Sequence, residues 1–176
     1  MSWFKDIFKK EKVIIASMYL PSLPGSADFQ KGTSLQQIIE YTHSELVELE
    51  KGGVDGVVIG NQQDWPYQVG VGPETSAIIT KVLTESMQGL QIPIGITIFW
   101  DDLAAIAIAK AVGARFVRGV FRGVYAGEMG LMSLNAADAI CYRKNIDAEE
   151  IKLMFMLRPI LCKSISERGL LAEIKD

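Results

Sequence analysis

Short runs of β-branched and aromatic residues alternate with helical stripes along almost the whole chain, and this alternation limits the architectures open to it. Residues 13–18, 56–60, 94–99, 116–121 and 151–157 each form such a run. They are apolar on both faces, the signature of parallel strands covered on both sides. Between the first and second runs, Leu35, Ile38, Ile39, Thr42, Leu46 and Leu49 fall on one helical face, with Thr33 or Ser34 as N-cap and Gly52-Gly53 as the stop. Pro73 and Glu74 open a second helix, and Asp101 caps a third that is rich in alanine and stops at Gly113. A weaker helix spans residues 136–144, Ser166 is placed to cap a last one, and residues 123–130 read as a mobile glycine-rich loop.

A helix between successive strands forces parallel pairing through right-handed crossovers, so the fold class is α/β. Periodicity leaves two architectures open: a doubly wound sheet of order 2-1-3-4-5, or about five units of a closed barrel. The chain of 176 residues, 49% hydrophobic and 22% charged, has enough apolar material for one core, and a single domain over residues 1–176 is expected. Residues 1–10 alternate Trp3, Phe4, Ile7 and Phe8 with lysines and predict a short helix packed on that domain rather than a lipid-facing one; residues 11–176 carry βα units one to five.

Several function classes are disfavoured. A net charge of -3 with scattered cations gives no basic stripe for nucleic acid. Cys141 and Cys162 with the single His43 supply neither a disulfide framework nor a Cys/His metal set, which suits a reducing cytoplasm. No stretch is apolar for long enough to span a bilayer, and no glycine-rich nucleotide loop is present, so no cofactor is expected.

In either architecture ligands bind at the carboxyl ends of the strands, and the loops there are rich in functional groups. Asn61 and Asp64 follow the second strand and could orient a hydroxyl, or simply stabilise a turn. Asp102 lies in the first turn of a helix, where a carboxylate also complements the dipole. Arg118 sits within an apolar strand and needs a counter-charge, either an anionic ligand or a salt bridge with Glu74 or Asp102. Arg122 and Glu128 bracket the glycine-rich loop. Asp102 and Glu128 are therefore the candidate acid–base residues, and Asn61, Asp64, Arg118 and Arg122 the candidate substrate-binding ones. His43, mid-helix beside Ile39 and Leu46, reads as a boundary residue.

The loops in this order resemble the BtpA family (BtpA/SgcQ), and its SgcQ-like branch most, from about Glu11 onward. The resemblance is carried by Leu-Pro-x-Leu-Pro-Gly at residues 20–25, Gly-Val-Asp-Gly at 53–56, then Asn61, Asp64 and Pro66. It continues through Gly72-Pro73-Glu74-Thr75, Asp102, Gly113-Ala114, Arg118, Gly123 and Gly130. It implies a (β/α)8 TIM barrel like the ribulose-phosphate-binding barrels, acting on a phosphorylated or sugar-like small molecule in carbohydrate metabolism. The alternative it implies is a non-catalytic accessory factor of the photosystem I biogenesis type.

Tyr19, Gly60 and Thr97 depart from the histidine, glutamate and asparagine common in the family, and Arg158-Pro159-Ile160-Leu161 replaces a His-x-Lys-His-like segment. No metal or acid–base role is carried over to those positions. Family members continue through three further units, so this chain is expected to be an incomplete barrel. Its end strands and inner face, left exposed with Ile, Val and Phe side chains, would lead it to self-associate or bind a completing polypeptide.

Overall fold

The β-branched runs pair as one parallel sheet in strict sequence order, in a computed structural model that describes residues 2–166 and 169–175. Its strands are β1 (Ile15–Tyr19), β2 (Gly56–Gly60), β3 (Ile94–Thr97), β4 (Phe116–Gly119) and β7 (Lys152–Phe155). The doubly wound alternative needs β1 between β2 and β3, but β1 lies at an edge and pairs only with β2 in this sheet.

The connecting helices form where local chemistry specifies them. In α2 (Leu35–Lys51), Ser34 accepts from the Gln37 backbone N–H at 3.2 Å and the Gln37 side chain returns a bond to the Ser34 backbone, a reciprocal capping box. Pro73 starts α3 (Pro73–Ser86). Asp101 caps α4 (Asp102–Val112), and Gly113 ends it in the left-handed region at φ 73. These helices cover one face of the sheet, burying Ile38, Leu46, Ile79, Val82, Leu83, Ile106 and Ile108 against Val57, Ile59, Ile96 and Val117. His43 braces the layer as a boundary residue, its Nδ1 lying 2.8 Å from the Ser86 carbonyl oxygen.

The opposite face carries the alternate residues of each strand, and it overturns one expectation. Rather than lying exposed, Val58 is 2% and Phe116 0% accessible, because α1 (Ser2–Phe8) folds beneath the sheet and packs Phe4, Ile7 and Phe8 against them. The Phe8 and Phe116 rings meet edge to face, 5.8 Å between centroids. Two glycines admit them: a side chain at Gly56 would run into the Phe8 ring, and one at Gly95 into the Phe116 ring. Asp55 locks this end, accepting from the Ile14 N–H at 2.9 Å and pairing with Lys10, and those bonds hold its carboxyl below the usual aspartate range. The Gly-Val-Asp-Gly segment is therefore a structural joint.

Three other expectations change. Residues 123–130 form no mobile loop: β5 (Gly123–Gly127) and β6 (Gly130–Leu134) make a hairpin, and β8 (Cys162–Ser164) joins β5 antiparallel to complete a second, three-stranded sheet. Tyr125 and Met132 from this sheet pack on Phe99, Trp100 and Val120. The fourth run ends early as a strand because Phe121 takes a positive φ of 57. Ser166 caps no helix, since α6 begins only at Leu170 (Leu170–Lys175); α5 (Ala136–Asn145) forms where expected, capped by Asn135.

Gly95 tests the inner packing. Its replacement by Ala overpacks the face against a ring that cannot move away, and should cost about 1–3 kcal/mol, read as a lower urea midpoint with an unchanged denaturant slope. An unchanged midpoint would mean that the Phe116 ring does not fill this space.

Candidate functional site

The carboxyl ends of the parallel strands gather most of the polar side chains singled out above, but the backbone already uses several of them. Asn61, 3% accessible, accepts from the Phe99 N–H at 2.9 Å through Oδ1, and its side chain also bonds the Asp64 carboxylate. Asp64 accepts from the Leu23 N–H at 2.8 Å. The two residues thereby tie the loops after β1, β2 and β3 to one another. Burial raises the Asp64 pKa, opposed by these hydrogen bonds. Both border a cleft of about 270 Å³ closed by Ser26, Gln68 and the first turn of α3.

Asp102 lies elsewhere. Its carboxylate accepts from the Phe121 N–H at 2.6 Å and from the Val120 N–H, and it occupies the space above Gly119 on the helix-covered side of β4. Neighbouring Asp101 caps α4 through the Ala104 N–H at 2.9 Å and also accepts from the Val71 N–H at 3.1 Å. Both aspartates line a second cleft of about 250 Å³ with Trp100, Ser133, Asn135 and Asp138.

Arg118 faces the other way. On β4 it alternates with Val117, which packs among the helices, and shares the inner face with Phe116. Among the described residues its Nε is buried without a hydrogen-bond partner, and it makes no salt bridge with Glu74 or Asp102. Arg122 borders a third cleft with Tyr125, Ser164 and Glu173, and its carbonyl accepts from the Tyr125 hydroxyl at 3.2 Å. Glu128 occupies the exposed two-residue turn between β5 and β6.

The structure thus brings Asn61 and Asp64 together, puts Asp102 and Arg118 on opposite sides of β4, and sets Arg122 just before and Glu128 just after β5 of the second sheet. Gln62 has no assigned role in the sequence reading, yet its side chain folds back over Gly60 with Oε1 buried and unpartnered among the described residues. The only sequence signal for it is a glycine at a strand end followed two residues later by a long amide. Among the described residues no cluster of His, Cys, Asp and Glu could hold a metal ion.

A family model described as the BtpA family matches residues 10–176. The sgc region protein SgcQ of Escherichia coli is 33% identical over 176 residues, covering 100% of this chain and 66% of that protein. The photosystem I biogenesis protein BtpA of Synechocystis is 32% identical over 145 residues, 81% of this chain and 50% of that protein. An uncharacterized protein of Archaeoglobus fulgidus is 34% identical over 140 residues, 78% of this chain and 55% of that protein. The chain belongs to the BtpA family, and it spans half to two thirds of the length of these relatives.

Burial raises the Asp102 pKa above 3.8 against the pull of its two backbone donors. A carboxyl with a raised folded pKa binds its proton more tightly in the folded state. Its ionisation therefore lowers stability as pH climbs from the unfolded pKa through the folded one, and the loss is complete above that. The Asp102 carboxyl carbon, followed by NMR, should titrate with a midpoint above 3.8. Asp102→Ala should cost about 1–3 kcal/mol at neutral pH by orphaning the Phe121 and Val120 N–H groups. A midpoint at or below the ordinary aspartate range, or an alanine variant of wild-type stability, would remove Asp102 from this structural role.

Proposed function

We propose that this BtpA-family chain provides the first five βα units of a (β/α)8 barrel of the ribulose-phosphate-binding kind, and that its carboxyl end binds a phosphorylated or sugar-like small molecule. The sequential order of the parallel strands supports the barrel reading, as does the inner-face layer of side chains opposite the helices. The observation that carries the ligand reading is Arg118: a guanidinium on that inner face with a buried, unpartnered Nε. A guanidinium N–H buried without a partner is costly, and an anion is a partner that offsets it.

In this reading Arg118 receives the acid group and Arg122 is a second cation at the same end. Asn61 and Asp64 hold the neighbouring loops and present their cleft to hydroxyls. Glu128, from the hairpin turn, is the carboxyl proposed for proton transfer at this end, whereas Asp102, on the helix-covered side of β4 and bonded to the Phe121 and Val120 N–H groups, would act only in its own cleft. We place the protein in the cytoplasm as one domain over residues 1–176, acting with further copies or a completing polypeptide; among the described residues no helix is long and apolar enough to cross a membrane. A second reading, an accessory role in protein assembly, is favoured by the similarity to a photosystem I biogenesis protein.

Calorimetric titration with inorganic phosphate decides between them. A charge-assisted hydrogen bond contributes about 1.5–3 kcal/mol, so Arg118→Met should weaken phosphate binding at least about tenfold while leaving thermal unfolding near that of the wild type. Wild-type protein that takes up no phosphate, or an Arg118→Met variant that binds it equally well, would refute the ligand reading and leave the assembly role.

A further inference from the structure

Strand register places Arg118 in a row that crosses the inner face. Tyr19 pairs with Gly60, Gly60 with Thr97, and Arg118 with Met154, while Ile96 opposite Val117 sets Thr97 opposite Arg118. The row lies one layer above Val58, Gly95 and Phe116, which α1 closes off. In the layer below, Val58 and Phe116 are buried while Ser17 and Lys152 flank them at the two edges; the row itself carries Tyr19, Thr97 and Arg118, with Met154 at its far end, and Tyr19 at the edge is 45% accessible.

Among the described residues, two buried atoms at this row lack hydrogen-bond partners, and they are complementary. Over Gly60 the Gln62 side chain fills the space a Cβ would take, against the Thr97 methyl, and its Oε1 is an acceptor with no donor. On the far side of Thr97, Arg118 Nε is a donor with no acceptor. Adjacent strands are ~4.8 Å apart, so the two anchoring positions, two strands apart, are separated by about 10 Å along the row. The two side chains shorten that gap, but among the described residues they do not bond to each other. Native interiors rarely leave such groups unpaired, and a pair of opposite sense on one face is met by a single molecule that carries both an acceptor and a donor.

We propose that this row is a two-point subsite for a small anionic polyol, a sugar phosphate or sugar acid. Its acid group sits on Arg118 and a hydroxyl several bonds away donates to Gln62 Oε1. The subsite deepens the ligand reading above and rests on it. Gln62 supplies the specificity: Arg118 alone accepts any small anion, whereas the amide oxygen selects those that carry a hydroxyl at the right reach. Gly60 is required because any side chain there would displace the amide from the row.

Titration calorimetry on the full chain separates the two claims by using inorganic phosphate, ribose 5-phosphate and butyl phosphate, which lacks hydroxyls. Wild-type protein should bind ribose 5-phosphate at least about tenfold more tightly than butyl phosphate. Gln62→Met keeps the length of the side chain and removes the acceptor. It should abolish that preference, leave inorganic phosphate binding intact, and unfold at or above the wild-type temperature, since it removes an unpaired buried group. Arg118→Met should weaken all three ligands. Equal binding of the two esters by wild-type protein, or a preference that survives Gln62→Met, overturns the two-point subsite while the anion site stands. Phosphate binding that is absent, or unaffected by Arg118→Met, overturns both.

Discussion

The inner face of the parallel sheet must be covered by something, and no helix of the βα units reaches it. The chain meets this constraint at one end only. Phe8 and Phe116 pack edge to face under β2 and β3 in spaces left by Gly56 and Gly95, and Asp55 pins the segment that brings α1 there. Burying a phenylalanine this way contributes about 1.5–3 kcal/mol, and it makes the amino end of the sheet a sealed floor. Arg118, half-buried, stands two residues along β4 from that floor, with its Nε buried and unpartnered among the described residues.

A brace of carboxylates and amides at the other end holds the loops around this row. Asn61 ties the loop after β2 to Phe99, Asp64 to Leu23, Asp101 holds Val71, and Asp102 holds Phe121. These are bonds to backbone N–H groups, so they fix where the chain passes and hold the loops at the carboxyl end in place without spending the inner-face groups on structure. The second sheet adds a wall, with Tyr125 and Met132 packed on Trp100 and Val120.

The sequence revealed the parts of this arrangement that local chemistry decides. Ser34, Pro73, Asp101 and Gly113 mark helix ends because capping and φ preferences act within a few residues. The β5–β6 hairpin was hidden because Gly123, Gly127 and Gly130 break its alternation, and its pairing with β8 spans more than thirty residues. The helical stripe of α1 was visible, but not the surface it would cover, which depends on two glycines in distant strands. Asn61, Asp64 and Asp102 were identifiable as residues at strand ends. Their bonds to Phe99, Leu23 and Phe121 were not, because these are tertiary contacts. Gln62 gave only the weak signal of a long amide two residues after a strand-end glycine, since its position depends on the space that Gly60 leaves for its side chain.

If an anion completes Arg118 on the inner face, crystals soaked in tungstate, a phosphate mimic with a strong anomalous signal, will show it directly. The expected peak lies on the face opposite α4, with an oxygen about 2.7–2.9 Å from Arg118 Nε. A peak confined to Arg122 or to the first turn of α3, with none at Arg118, would contradict it.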